Sequence, residues 1–260
     1  MIFDEFSLEG KLAIVTGGGQ GIGKAITLAL AEAGADIVVA DWNKEGGEET
    51  CREVKALGRQ SLSIQTDATK ADQVDKMVEE VISHFKRIDL LVNNAGTILR
   101  KPLVSPDGTR LAEEEWQKVM DINLTSAFLC CRAVGPHMFK QKKGKVINIS
   151  SNNVERGHPN ILSYNASKAG VSMLTRCLAL EWAPFNINVN AIGPGEFYTK
   201  LSAISHEDPK LLEKMLAHIP LGRVGNVREI GLLAVYLASP ASDYITGQTI
   251  FIDGGVLASP

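Results

Sequence analysis

The feature that most restricts this chain is a run of glycines, five in the seven residues from Gly17 to Gly23. It follows the apolar run Leu12-Ala13-Ile14-Val15, which reads as a buried strand. It precedes apolar residues at helical spacing from Ile22 to Ala33, which Gly34 ends as a C-terminal cap would. Residues without a Cβ allow positive φ and let backbone approach a bound group closely. A helix that starts here turns its unpaired N–H groups and positive dipole end toward that group. Strand, glycine loop and helix in this order suit a pyrophosphate. No Gly-Lys-Ser/Thr follows, so the loop lacks the lysine and hydroxyl of a nucleoside-triphosphate loop.

The alternation then repeats. Ile37–Ala40, Ser61–Gln65, Leu90–Val92, Val146–Ile149, Asn188–Ala191 and Ile250–Ile252 read as further strands, with helical segments such as Lys44–Leu57 between them. This predicts an α/β fold: one Rossmann-type, doubly wound domain over residues 1–260, with about seven parallel strands flanked by helices on both faces. Pro102–Leu111 reads as a surface loop, and Ser202–Lys214 as a polar excursion of the kind that covers ligands. With 27 basic against 30 acidic residues the net charge is −3, which argues against nucleic-acid or anionic-membrane partners. No apolar run approaches the ~18 residues of a membrane span, and the stretch Ile2-Phe3-Asp4-Glu5 is unlike a signal peptide. Cys51, Cys130, Cys131 and Cys177 lack metal-ligand spacing, and the five histidines form no ligand pair. The expectation is a cytoplasmic protein without a metal.

Asp41 closes the second strand, 18 residues beyond Gly23. An acid there accepts hydrogen bonds from an adenosine ribose and repels a 2′-phosphate. Trp42 and Asn43 follow it and the loop carries Gln20, so NAD is expected rather than NADP. Tyr164 and Lys168 are four residues apart at the start of a helical segment, and so share one face. A phenol of pKa ≈ 10 is a poor base, and a nearby cation moves it toward the working range. Ser151, just after the Val146–Ile149 strand, can hold a substrate oxygen beside that phenol.

The loop spacing is Thr-Gly-x-x-x-Gly-x-Gly, and Gly-x-Gly-x-x-Gly fits in no register. In this it resembles the short-chain dehydrogenase/reductase family. The resemblance extends from about Gly10 to Gly255, through Asp67, Asn93-Asn94-Ala95-Gly96, Asn123, Ser151, Tyr164, Lys168, Pro194-Gly195 with Thr199, and Asp253-Gly254-Gly255. It implies that Tyr164 is the acid/base on the substrate oxygen, and that Lys168 binds the nicotinamide ribose and depresses the tyrosine pKa. Ser151 would orient the substrate, and Asn123 would hold a water in a proton relay. Gly17, Gly19, Gln20, Gly21, Ile22 and Gly23 would line the pyrophosphate. Asp67 and Ala68 would meet the adenine, Asn94, Ala95 and Gly96 its ribose, and Pro194, Gly195 and Thr199 the carboxamide.

The implied activity is hydride transfer between NAD(H) and a secondary alcohol or ketone. Arg100 and Arg156 are candidates for binding an anionic substrate, with Arg156 favoured because it lies between Ser151 and Tyr164. The stretches Arg100–Leu103 and Cys130–Gly135 resemble sugar-acid members of the family, of the gluconate and deoxygluconate dehydrogenase type. The alternative is a 3-oxoacyl-carrier-protein reductase. The family also implies a homotetramer or homodimer, with Ala166, Ala169 and Gly170 permitting close helix packing.

Overall fold

Seven strands form one parallel sheet in a computed structural model that describes residues 2–199 and 209–259. They are β1 (Leu12–Thr16), β2 (Asp36–Asp41), β3 (Ser61–Gln65), β4 (Leu90–Asn93), β5 (Gly144–Ile149), β6 (Ile187–Pro194) and β7 (Thr249–Ile252). Their order is β3-β2-β1-β4-β5-β6-β7, and every neighbouring pair is parallel. The helices are α1 (Gly21–Glu32), α2 (Lys44–Ala56), α3 (Ala71–Phe85), α4 (Glu113–Met120), α5 (Ser126–Gln141), α6 (Leu162–Trp182), α7 (Pro209–Leu216) and α8 (Val227–Ala238).

Strand side chains alternate between two cores. Ala13 and Val15 of β1 face a cluster with Ile26 and Leu30 of α1, Val54 of α2 and Ile230, Ala234 and Leu237 of α8. Leu12 and Ile14 face the opposite cluster with Val78 of α3, Val134 and Met138 of α5 and Trp182 of α6. Both faces are covered, which is why the strands read as continuous apolar runs. The strand order reverses between β1 and β4, and the carboxyl ends of the strands at such a point are where doubly wound sheets bind ligands.

The elements depart from the expected bounds where polar side chains carry the pairing. β4 runs on to Asn93, whose Nδ2 donates to Asn148 Oδ1 of β5 at 2.8 Å and to Cys131 Sγ at 3.3 Å. Asn148 Nδ2 in turn donates to Thr175 Oγ1 of α6 at 2.9 Å. β6 extends to Pro194, paired with Ile252, three residues beyond the expected end at Ala191. Of the polar excursion expected over Ser202–Lys214, residues 202–208 lie outside the described residues, and its second half falls in α7. No helix among the described residues is long and apolar enough to cross a membrane.

The Asn148→Ala substitution strips partners from both Asn93 and Thr175 in a site closed to water. Urea unfolding is expected to show a loss of about 1–3 kcal/mol with an unchanged m-value.

Candidate active site

The glycine loop is built against β4 and α2. Thr16 Oγ1, at the end of β1, accepts hydrogen bonds from the N–H groups of Asn94 (3.0 Å) and Ala95 (3.1 Å). The Asn94 amide answers by donating to Thr16 O at 3.0 Å and Gly17 O at 2.9 Å. A Cβ on Gly23 would collide with Gly17 O and Asn94 Nδ2, and one on Gly19 would lie 2.9 Å from Asp41 Oδ2. These glycines therefore serve the packing of the loop itself, besides any approach to a ligand. Gly21 differs: its φ is +56°, and a Cβ there would meet only Thr199, at 3.9 Å. Gln20 supplies no side-chain cap to α1, so the first-turn N–H groups stay available, while Ile22 packs inward on the core. An open glycine face beside an uncapped helix start fits a dinucleotide pyrophosphate.

Asp41 is buried, and its carboxylate is held from two sides. Oδ2 accepts from Gly19 N and Oδ1 from Asn43 N, both at 2.9 Å. Asp67 is half-buried, and its Oδ1 accepts from Thr69 N and Oγ1, closing its own loop. Ala68 packs against the core on the α3 side. Pro194 is buried at the end of β6, and Gly195 abuts Asp253 so closely that a Cβ would lie 2.7 Å from the Asp253 Cβ. The turn after β6 thus brings Thr199 across from Gly21.

Asn123 lies in a π-helical turn (Asp121–Thr125) between α4 and α5, the kind of irregularity that re-aims a side chain. Its Oδ1 accepts from Thr97 N at 2.7 Å, and its Nδ2 donates to Thr97 O at 3.0 Å and Ser167 Oγ at 2.9 Å. Both amide protons are spent on protein. Asn123 thereby clamps the loop after β4 to the start of α6.

Ser151 is buried just beyond the end of β5, and its Oγ accepts from Asn153 N at 3.1 Å. Lys168 is buried one turn along α6, with Nζ donating to Ile149 O at 2.7 Å and 5.8 Å from the Tyr164 ring centroid. Burial pushes the Lys168 pKa down from 10.5 to about 8. It pushes the Tyr164 phenol above its ordinary range, because the removal of water disfavours the charged form of each group.

Both candidate arginines are exposed, Arg100 on the loop after β4 and Arg156 on the loop after Ser151. Lys101, next to Arg100, anchors the first of these loops: Lys101 N donates to Asn160 O at 2.7 Å, and Nζ pairs with Glu115 Oε2 at 2.6 Å. Gly170 is small for an internal reason, since a Cβ would lie 2.7 Å from Leu124 Cδ2 of the same chain. Residue spacing carried no signal for Thr97, Ser167 or Glu115, whose roles come from elements distant in sequence. Thr16 was visible as the first letter of the glycine motif, though not as the joint to β4.

A family model described as enoyl-(acyl carrier protein) reductase matches residues 17–257. The 2-dehydro-3-deoxy-D-gluconate 5-dehydrogenase of Escherichia coli (strain K12) is 42% identical over 259 residues, 99% of this chain and 100% of that one. A 3-oxoacyl-[acyl-carrier-protein] reductase of Thermotoga maritima is 40% identical over 250 residues, 96% of this chain and 99% of that one. A crystal structure of a gluconate 5-dehydrogenase from Burkholderia cenocepacia J2315, in complex with NADP and tartrate, superimposes with a TM-score of 0.94. It is 36% identical and covers 100% of both chains.

Folded Lys168 sheds its proton near pH 8, whereas the unfolded chain keeps that proton to about 10.5. The unfolded state thus binds more protons between these values, and the contribution of Lys168 to stability rises with pH across that window. The buried thiols Cys130 and Cys131, pushed up by desolvation, act in the opposite sense. Subtracting the stability curve of Lys168→Met from that of the wild type isolates the lysine, and the difference is expected to climb from pH 8 to 10. A flat difference would refute a buried, proton-shedding lysine.

Proposed function

This chain belongs to the short-chain dehydrogenase/reductase family, and on that premise we propose that it oxidises a secondary alcohol of a small anionic substrate, a sugar acid or related polyol, using NAD. That it is an oxidoreductase of this family acting on a CH–OH group follows from the family match and the relatives. The observation that supports the finer reading is buried Lys168, with Nζ 5.8 Å from the Tyr164 ring centroid and beside Gly96, together with buried Ser151.

The nicotinamide cofactor supplies the acceptor or donor for the hydride of the substrate carbon. The protein moves the proton. Ser151 holds the substrate oxygen, and Tyr164 takes the alcohol proton during oxidation or returns it during reduction. The raised phenol pKa keeps Tyr164 protonated at neutral pH, which favours the acid role, and oxidation gains as pH rises. Lys168, fixed by Ile149 O, sets the polarity of the pocket floor next to Gly96, where a Cβ would lie 3.5 Å from its Nζ. Asn123 positions Thr97 and Ser167, and through them the two walls of the site.

Asp41 supports NAD. A buried carboxylate held by two backbone N–H groups is a fixed anion where an adenosine ribose would lie, and it opposes a 2′-phosphate. Arg100 supports an anionic substrate, since a guanidinium suits a carboxylate. Exposed apolar side chains on α5 and α6, Phe128, Met173 and Leu180, support a homodimer or homotetramer. Four free thiols fit a reducing cytoplasm.

Steady-state rates with NAD and NADP against aldonates, polyols and 3-hydroxyacyl thioesters test the reading. Turnover confined to thioesters with NADPH would replace it with the carrier-protein reductase activity. Tyr164→Phe is expected to lower kcat by at least about 10²-fold while NADH binding, followed by fluorescence, persists. Asp41→Asn is expected to narrow the preference for NAD over NADP by about tenfold, one unit charge of repulsion being of that order.

A further inference from the structure

Lys168 is held at its tip and at its backbone by two consecutive residues at the end of β5. Its Nζ donates to Ile149 O at 2.7 Å, and its backbone O accepts from Ser150 Oγ at 3.2 Å. Ile149 pairs with Ile192 of β6, and Ser150 N donates to Ile192 O at 2.7 Å, so this grip ties α6 to the sheet. Ser150 is 1% exposed, which closes the contact to water.

Each hydroxyl proton in this contact has one destination. A carbonyl only accepts, so Ser150 spends its proton on Lys168 O. The 2.8 Å bond between Ser150 Oγ and Ser172 Oγ then takes its proton from Ser172, and Thr249 Oγ1 of β7 donates to Ser172 Oγ at 3.3 Å. The result is a directed hydroxyl chain from β7 to the lysine carbonyl, each bond polarising the next. Lys168 O lies inside α6 and already accepts an intrahelical bond, so it does not need the Ser150 hydroxyl to be satisfied. A matching contact lies one turn earlier: Tyr164 O accepts from Ser167 Oγ at 2.7 Å, and Ser167 Oγ accepts from Asn123 Nδ2 at 2.9 Å.

We propose that Ser150 is a positioning residue for Lys168, its hydroxyl aimed by Ser172 and Thr249 so that the lysine backbone stays in register with Ile149 O and Nζ stays beside Gly96. The inference rests on the part proposed above for Lys168 and deepens it. A lysine stem is flexible, and one held at backbone and tip together loses that freedom. A Cβ on Gly96 would lie 3.5 Å from Nζ, so the seating of α6 on β5 sets how far the ammonium stands from the loop after β4. Misplacing a group of this kind by about 1 Å costs up to about 10²-fold in rate.

Two readouts test this. With an aldonate and NAD, Ser150→Ala is expected to lower kcat about tenfold. Gln141→Ala is the control: Gln141 bonds Ile88 N and O, at 3.0 and 2.7 Å, at the amino end of β4, so its loss costs stability at the other end of the sheet. That variant is expected to keep the wild-type kcat. The second readout needs no substrate. Burial alone lowers the Lys168 pKa, and the titratable group beside the ammonium is the Tyr164 phenol on its own helix. A slackened grip admits water to Nζ and returns its pKa toward 10.5. The folded and unfolded values then converge, so in the Ser150→Ala background the stability difference against Lys168→Met is expected to climb less, and to start climbing above pH 8. Ser172→Ala leaves Ser150 its acceptor and is expected to move the same quantities less; it serves as the test should Ser150→Ala not fold. An unchanged climb overturns the inference, and so does a wild-type kcat in Ser150→Ala. An equal fall of kcat in Gln141→Ala overturns it too, since kcat then tracks stability alone. A wild-type enzyme that oxidises no hydroxy acid overturns the proposed function instead, and the stability curves then decide the place of Ser150 by themselves.

Discussion

The site depends first on the joint between the ends of β1 and β4. A doubly wound sheet must split at the point where its connections change faces, and the split would leave strand-end polar groups without partners. Here Thr16 and Asn94 close it with four hydrogen bonds between 2.9 and 3.1 Å. The joint brings the glycine loop and the loop after β4 into contact, so that Gly17 and Gly23 have no room for a side chain. The proposed nucleotide cradle and the proposed catalytic floor at Gly96 thus hang from one pair of residues.

A second polar seam runs beneath the chemistry. Where α6 crosses β5, its inward face is not apolar: Ser150 Oγ donates to Lys168 O and shares a hydrogen bond with Ser172 Oγ, and Asn148 donates to Thr175. These are buried groups with partners, which rigidify an interface that apolar side chains alone would leave free to slide. Asn123 extends the seam across Thr97 and Ser167. The spacing of Tyr164 and Lys168 is a property of the helix, whereas their placement under Ser151 is a property of this seam.

Burial sets the electrostatic character of the pair. The same removal of water raises the phenol and lowers the ammonium, so that the phenol comes to lie well above the lysine in pKa and burial favours the neutral form of both.

The sequence by itself determined the fold class, since buried parallel strands must be apolar runs and their helices must show a 3.6-residue period. It also determined the residue types of the chemistry: the glycine loop, Asp41, Ser151, Tyr164 and Lys168 follow from local spacing, which the chain writes directly. Which partners those residues find was left to the tertiary structure. Local spacing did not show that the Asn123 amide would join Thr97 to Ser167, 26 and 44 residues away. Nor did it show that Arg100 and Arg156 would both be exposed on loops. Hydrogen-bond partners, solvent exposure and through-space charge depend on which distant segments meet, and no local pattern encodes that.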